Sequence, residues 1–261
     1  MEPELVEVPD HGRRFHATRR VRLGDVDAGG RLRLAALVGA LQDVATDDAD
    51  DAGLDRLAGV WVARRTFVRL GRPVALHDRL DLLTFCSGTG RSWAERRTRV
   101  TDGAVVVADA ASLWVYVDAV TGRPIPLGPE FTERFGESAG GRRVDSRLRH
   151  GPPPGSAVRR PWPLRAGDLD ILGHVNNARA LEALDDELDR SSPGAIARHL
   201  SVEYRAPVNR DDTVELASTR HHEGGLEVAR VWWLVAGEPR VSATVGLDEP
   251  VARASAATPT R

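Results

Sequence analysis

The sequence contains no lysine, a single cysteine and no long apolar run, and each absence limits what the chain can be. One cysteine, Cys86, excludes an internal disulfide and a multi-cysteine metal site, which is typical of a reducing compartment. No segment approaches the roughly 20 consecutive apolar residues that a membrane-spanning helix needs. The acidic residues 1–12 also lack the apolar core of a signal peptide. These absences predict a cytoplasmic protein with no membrane partner.

The charged residues are nearly balanced, because 36 basic residues, all arginine, face 38 acidic ones and leave a formal charge of −2. A chain without a basic excess lacks the electrostatic footprint of nucleic-acid binding, so no nucleic-acid partner is expected. Local arginine clusters allow two interpretations. They are solvated surface, or they dock an acidic partner, because guanidinium groups bind carboxylates and phosphates in a bidentate manner. The clusters are Arg13, Arg14, Arg19, Arg20 and Arg22, then Arg142 and Arg143, and Arg159 and Arg160.

The chain repeats itself, and a repeat decides the architecture before any single residue does. Residues 21–32 read VRLGDVDAGGRL, and residues 164–175 read LRAGDLDILGHV. A later segment repeats in the same order: residues 71–82 resemble residues 205–216. The identical pairs of the first match are Arg22/Arg165, Gly24/Gly167, Asp25/Asp168, Asp27/Asp170 and Gly30/Gly173.

Each copy predicts the same elements: a short strand, an Asp/Gly turn, a helix and four strands. The helices follow from apolar residues at helical spacing, with Asn177 as the N-cap of the second helix. The strands follow from β-branched and aromatic residues between Gly, Asp and Pro. We predict first strands around 20–23 and 163–165. The later strands are expected near 60–70, 79–87, 92–101 and 104–118, and near 199–208, 213–221, 226–235 and 240–248.

The segment between the copies is rich in Gly, Pro and Arg and predicts a linker. The sequence thus divides into a first domain at 1–140, a linker at 141–160, a second domain at 161–250 and a flexible tail at 251–261. A strand, one long helix and four antiparallel strands is the layout of the hot-dog fold, in which the sheet wraps the helix. We therefore predict an α+β tandem double hot-dog. It is an intrachain pseudo-dimer, and the chain is a monomer or a homodimer.

The segment GDLDILGHVNNARALEAL at 167–184 resembles the acyl-ACP thioesterase family, whose second hot-dog carries D-L-D-x-N-x-H-V-N-N. The first copy resembles that family through LQDVATDDADDAG at 41–53, WVARRT at 61–66 and LWVYVDAVTGRPIPL at 113–127. The resemblance covers roughly residues 15–248 and is greatest to the bacterial branch. It implies hydrolysis of the thioester of fatty acyl-acyl carrier protein (ACP), releasing free fatty acid and holo-ACP. Acyl-ACP is then the partner, and no cofactor or metal is expected.

Asp170 and His174 are the catalytic residues that the resemblance carries over. Thioester hydrolysis needs an activated water or a carboxylate nucleophile, together with donors for the developing oxyanion. The start of a helix supplies free N–H groups and a positive potential for that oxyanion. We expect Asp170 to activate water or to attack directly, and His174 to orient the thioester or to transfer a proton.

The sequence departs from the pattern of the family's plant members. Leu172 stands where they have Asn, and Ala180 where a tyrosine often follows HVNN. Pro207 and Val208 stand where they have an acid and a cysteine. Because Cys86 lies in the other copy, a cysteine nucleophile is excluded.

Comparison of the copies weighs each candidate. Arg31 stands at the position of His174, so the fold does not require histidine there, whereas Asp27 at the position of Asp170 leaves a role in turn formation open. Asn176 and Asn177 are candidates for shaping the site. Glu203 is either a second acid or an exposed strand residue, and the paired Asp25 and Asp168 are expected to be structural.

Lacking the histidine, the first copy is predicted to have lost chemistry and to form the acyl tunnel, with plain core packing as the alternative. The expected wall is Ala35, Ala36, Leu37, Val38, Ala40 and Leu41. Rival functions are an acyl-CoA thioesterase, a hot-dog hydratase and a non-catalytic ACP-binding module. The hydratase pattern spaces Asp and His by five residues around Asn-Pro, whereas the spacing here is four and has no proline.

Overall fold

The computed structural model of the protein describes residues 3–54 and 59–248. Within these ranges it contains three α-helices and ten strands, joined by short 3-10 turns. The elements are β1 (Phe15–Arg20), α1 (Leu34–Asp51), β2 (Gly59–Leu70), β3 (Arg79–Thr89), β4 (Trp93–Asp102), β5 (Val105–Asp118), α2 (Pro129–Ala139), β6 (Val158–Trp162), α3 (Glu182–Ser191), β7 (Ile196–Tyr204), β8 (Val214–Glu223), β9 (Leu226–Val235) and β10 (Glu238–Asp248).

All ten strands form one antiparallel sheet in the order β1-β3-β4-β5-β2-β7-β10-β9-β8-β6. Each repeat contributes five neighbouring strands, and β2 pairs with β7 at the centre, with Arg65 opposite Glu203 and Arg69 opposite His199. The central pairing relates the two halves by an approximate two-fold axis. The expected α+β tandem double hot-dog is confirmed, and the halves share one continuous sheet.

Helix α1 lies in the core because its apolar residues repeat at helical spacing. Leu37, Val38 and Leu41 are buried against strand residues such as Val68 and Leu200. The helix ends where the Ala52 amide donates to the Asp48 carbonyl and Gly53 adopts a φ of 71°, a conformation that glycine tolerates best.

The second helix differs from the prediction at its start. A 3-10 turn at Arg179–Leu181 precedes α3, and α3 has no side-chain N-cap. Asn177 is therefore not the cap. Instead the Asn176 side-chain oxygen accepts hydrogen bonds from the amides of Ala178 (2.9 Å) and Arg179 (3.4 Å). The Asx turn therefore occurs one residue earlier than predicted.

The predicted first strands are misplaced by several residues. The structure places β1 and β6 earlier, because the residues that follow them turn into 3-10 helices. The side chains of Asp25 and Asp168 hold these turns by accepting the amides of Arg22 and Arg165, which is the structural role expected of them. Since β6 begins at Val158, the linker is shorter than the predicted 141–160. The predicted tail at 251–261 lies outside the described residues.

Helix α2 was missed by the sequence analysis, although Pro129 occupies its first turn, as is common in helices. Phe131 and Phe135 of α2 pack with Cys86 and Ala94 in a second apolar cluster. Burial raises the pKa of the Cys86 thiol to about 11, so the thiol stays protonated near neutral pH.

Carboxylates of the chain itself pair with several of the arginines in the predicted clusters. The partners are Asp48 for Arg13 (2.6 Å), Asp25 for Arg19 (3.0 Å), Glu95 for Arg142 (2.6 Å), Glu215 for Arg159 (2.7 Å) and Asp186 for Arg160 (2.6 Å). Because these arginines already have carboxylate partners within the chain, the clusters are better interpreted as surface than as a docking site for an acidic partner. No helix in the described part of the chain is long and apolar enough to cross a bilayer.

The ion pairs of Asp48 give a test of the fold. This carboxylate is fully buried and joins α1 to Arg13 and to Arg96 of β4. Removing one partner from a buried ion pair strands the other charge, so Asp48→Ala should lower the free energy of unfolding by about 3–5 kcal/mol. Chemical denaturation measures it.

The control is Asp51→Ala, because Asp51 also pairs with Arg13 but its side chain is 60% exposed. An exposed pair contributes about 0–1 kcal/mol. Equal losses in the two variants would contradict the burial argument.

Candidate active site

The two Asp/Gly turns have the same backbone. In the first repeat the Asp27 amide donates to the Arg31 carbonyl, and in the second the Asp170 amide donates to the His174 carbonyl, both at 2.8 Å. Gly30 and Gly173 share a φ of 77°, which a side chain would disfavour. The repeats therefore present two equivalent positions that differ only in side chains.

One carboxylate oxygen shapes the turn in each repeat. Oδ1 of Asp27 accepts the amides of Gly29 (2.8 Å) and Arg31 (2.9 Å). Oδ1 of Asp170 accepts those of Leu172 (2.8 Å) and His174 (3.2 Å). The turn role that the sequence left open for Asp170 is real, and it occupies a single oxygen.

The second carboxylate oxygen distinguishes the repeats. Oδ2 of Asp27 accepts the Arg31 guanidinium through Nε (3.1 Å) and Nη2 (2.9 Å). Oδ2 of Asp170 accepts no hydrogen bond from any described residue. Asp27 is thus neutralised by its neighbour, whereas Asp170 keeps an oxygen available to take a proton or to attack a carbonyl.

His174 follows Asp170 by four residues in the same turn and is half-buried. Its backbone bridges to Asn209, and the neighbouring Val175 amide donates to the Val208 carbonyl at 2.8 Å. These contacts fix the turn against the loop after β7. Among the described residues none hydrogen-bonds to the His174 imidazole, so both ring nitrogens are available to a substrate.

Asn177 offers a free donor at the start of the second helical segment. Its amide forms no hydrogen bond with a described residue, while its carbonyl accepts the hydroxyl of the buried Tyr204 at 3.2 Å. Burial raises the pKa of Tyr204, so this donor stays protonated. A fixed N–H at the positive end of a helical segment is suited to binding an oxyanion. Asp170, His174, Asn176 and Asn177 thus lie on one continuous turn, which backbone hydrogen bonds close between Asp170 and His174 and between Asn176 and Asp168.

Glu203 does not belong to this group, which corrects the sequence analysis. Successive side chains of a strand point to opposite faces, and the neighbouring Tyr204 faces the helix layer. The Glu203 carboxylate is buried on the other face of the sheet, where it accepts the amides of Arg149 (2.6 Å) and His150 (2.9 Å). It is neither a second acid of the site nor an exposed residue. It anchors the linker to the sheet.

A cavity of about 440 Å³ opens at the turn of the first repeat. Asp27 and Arg31 lie at this cavity, together with residues of α3. Its apolar walls include Leu37, Leu70, Leu80, Val107 and Leu188. Of the α1 residues predicted to wall a tunnel, Leu37 lines this cavity.

Sequence reasoning missed Asp185, which crosses between the repeats. Its carboxylate accepts the amides of Leu34 (3.1 Å) and Ala35 (3.0 Å) at the start of α1. Burial raises the pKa of Asp185 to about 6, although these two hydrogen bonds act in the opposite direction. The contact joins residues about 150 positions apart in sequence, beyond any local pattern.

No group of three or more His, Cys, Asp or Glu side chains is arranged to hold a metal ion within residues 3–54 and 59–248. The groups available at the turn are a carboxylate, an imidazole and backbone amides, which is a set suited to proton transfer and oxyanion binding.

Two family models match the chain. The acyl-ACP thioesterase N-terminal domain matches residues 12–135, and the C-terminal domain of the same family matches residues 153–245. A curated relative, an uncharacterized protein of Mycobacterium tuberculosis, is 24% identical over 92% of this chain and 94% of its own length.

Solved structures show the same fold at low identity. An acyl-ACP thioesterase from Bacteroides thetaiotaomicron is 20% identical, with a TM-score of 0.74 over 90% of this chain and 98% of its own. A 12:0-ACP thioesterase from Umbellularia californica is 18% identical, with a TM-score of 0.74 over 90% and 93% of the two chains. A protein from Lactobacillus plantarum assigned as an oleoyl thioesterase is 19% identical, with a TM-score of 0.81 over 93% and 98%.

Asp185 makes stability depend on pH in a defined direction. Its carboxyl has a pKa of about 6 in the folded protein, above the ordinary value of about 3.9. The native state then holds the proton more tightly than the unfolded state, so stability falls as pH rises from about 4 to about 6. In Asp185→Asn this loss should disappear, as urea midpoints between pH 4 and pH 7 would show.

The exposed neighbour Asp189, changed to Asn, is the control. If wild type instead gained stability relative to Asp185→Asn as pH rises, the hydrogen bonds to α1 would outweigh burial.

Proposed function

The chain belongs to the acyl-ACP thioesterase family, and on that premise we propose that the turn of its second repeat is the catalytic centre. The protein hydrolyses the thioester of fatty acyl-ACP and releases free fatty acid and holo-ACP. The observation that carries the proposal is the free Oδ2 of Asp170, in contrast to the Oδ2 of Asp27 that Arg31 occupies.

In this mechanism the thioester carbonyl lies against the start of the second helical segment. The Asn177 amide donates to the carbonyl oxygen, where negative charge develops as water attacks. Asp170 takes a proton from the water, and the water oxygen bonds to the carbonyl carbon. The carbon–sulfur bond then breaks, and Asp170 returns the proton through His174 to the leaving sulfur. The products are the acid and the thiol.

Two features support the carboxylate as base. Its Oδ1 is held by two backbone amides, so the direction of Oδ2 is fixed before substrate arrives. The cysteine alternative has no candidate, because Cys86 is buried in the first repeat. Leu172 replaces the family's asparagine. Its side chain is exposed and only its backbone amide bonds to Asp170, so this geometry does not require an asparagine side chain there.

We propose that the first repeat accepts the acyl chain. Core side chains at matching positions are smaller in the first repeat than in the second. When Pro73 is aligned with Pro207, Leu70 corresponds to the larger Tyr204. Val100 lies opposite Leu82 just as Trp233 lies opposite Leu216. Smaller side chains leave more room in the first repeat, and Leu70 lines the cavity that lies between the first turn and second-repeat residues such as Ile196 and Leu247.

Removing either catalytic group should slow turnover without unfolding the protein. We expect Asp170→Asn and His174→Ala each to lower kcat by about 100-fold or more. Thiol release from acyl-ACPs of several chain lengths measures the rate, with matching acyl-CoAs alongside.

Asp211→Asn is the matched control, because Asp211 is an exposed carboxylate in the loop that packs on the turn. Near wild-type rates in both site variants would remove Asp170 and His174 from the mechanism. Equal rates on CoA and ACP substrates would remove the carrier preference.

Narrowing the cavity should shift chain-length preference. Leu70→Phe adds bulk at the wall, so kcat/KM for the longest accepted chain should fall by about 10-fold or more, with short chains little affected, because overpacking excludes the distal carbons. Leu23→Phe is the control, since Leu23 is 77% exposed. A uniform loss across chain lengths would place the acyl chain elsewhere.

A further inference from the structure

We infer that Gln42 of α1 is a catalytic residue of the second-repeat site, where its carboxamide donates a hydrogen bond to the developing oxyanion beside the Asn177 amide. This inference rests on the proposed function, because it assumes that the turn of Asp170 and His174 holds the thioester. It assigns the first repeat a direct part in the chemistry.

The approximate two-fold symmetry locates Gln42. The alignment of Asp27 with Asp170 also pairs Leu34 with Asn177, and it pairs Gln42 with Asp185. Asp185 reaches across to the start of α1 and accepts the Leu34 amide. The same two-fold relation places Gln42 opposite the start of the other helical segment, although no hydrogen bond joins its carboxamide to the Asn177 amide.

Contacts around Gln42 agree with this placement. Gly39, one turn earlier on α1, lies against Ala178, since a Cβ built on Gly39 would be 3.7 Å from the Cβ of Ala178. Asp185, which aligns with Gln42, lines the cavity at the first repeat together with Asp27 and Arg31. A residue at this helix position therefore lies at the same cavity as the turn of the other repeat. The equivalent group in the second repeat is Gln42 with Asp170 and His174.

The hydrogen bonding of Gln42 is incomplete. Its Oε1 is buried and accepts no hydrogen bond from a described residue. Its carboxamide nitrogen is not buried and also has no partner among those residues. A buried acceptor without a donor is destabilising, and such groups are tolerated at functional sites. The polar atom left open for a substrate is the donor.

The chemical difference between the paired residues fits their sites. The Asp185 carboxylate neutralises the positive start of α1 and occupies its amides, so an oxyanion cannot bind there. A carboxylate at position 42 would likewise repel a developing negative charge. A carboxamide is neutral and adds a second N–H to that of Asn177, and paired donors are the usual composition of an oxyanion hole.

The test compares Gln42→Met and Gln42→Glu. Methionine keeps the length and removes the donor, so kcat should fall by about 100-fold with KM little changed, as for loss of one oxyanion donor. Glutamate adds negative charge at the same place, so kcat should fall at least as far. Acyl-ACP hydrolysis gives both constants, and thermal melting checks folding.

The control is Asp43→Met, which places the same side chain at the next, exposed position of α1. It should keep the wild-type kcat. Wild-type kcat in folded Gln42→Met would overturn the inference. Substantial activity in Gln42→Glu, with Gln42→Met inactive, would also overturn it, because an acceptor and not a donor would then be required.

Asp170→Asn, measured in the same assay, separates this inference from the function. If Asp170→Asn is inactive and Gln42→Met is normal, only the role of Gln42 fails. If Asp170→Asn is fully active, the proposed site itself fails. A rise in KM without a fall in kcat in Gln42→Met would assign Gln42 to ground-state binding and overturn the oxyanion role.

Discussion

The central pairing of β2 with β7 sets the constraint on which the site depends. In the paired halves the start of each helical segment lies against the helix of the other repeat, as the Leu34–Asp185 hydrogen bond and the approach of Gly39 to Ala178 show. The first amides of a helix have no partner within it, so something outside must satisfy them. For α1 the partner is Asp185, and for the second repeat the Asn177 amide has no protein partner among the described residues. The first amides of α1 are therefore occupied, whereas the Asn177 amide is available to a ligand.

The differences between the repeats act in the same direction. In the first repeat Arg31 occupies the carboxylate of its turn, and Asp185 occupies the amides opposite. In the second repeat the corresponding residues are His174 and Gln42, and neither has a side-chain partner within the described ranges. The polar groups of the first turn are thus occupied by Arg31 and Asp185, whereas the proposed site in the second repeat keeps the corresponding groups open on the same backbone. Divergence after duplication explains why Asp27 and Asp170 share a turn role while only Asp27 is paired with an arginine.

The sequence predicted the repeat, the later strands, α1 and the turn of Asp170 and His174, because alternation, helical spacing and turn residues are local properties. It placed Asn177 as the cap, whereas α3 has no side-chain cap and Asn176 forms an Asx turn, because a sequence pattern does not fix a helix start to one residue. Glu203 is a site candidate by sequence because no local pattern reveals its partners, two backbone amides of the linker that are distant in sequence. The contact of Asp185 with α1 escaped for the same reason.

The asymmetry also has an energetic consequence. Each unsatisfied buried polar group costs about 1–3 kcal/mol, while a whole domain is stable by about 5–15 kcal/mol. At the second-repeat site the buried atom of this kind is the Oε1 of Gln42, whereas Asp170, His174 and Asn177 are half-buried. Closing the first helix start with Asp185 and Arg31 recovers hydrogen bonds there, and the second can then remain open at Asn177 and Gln42. On the proposed function, the first repeat thereby stabilises the fold that the second-repeat site needs, and through α1 it also contributes to that site.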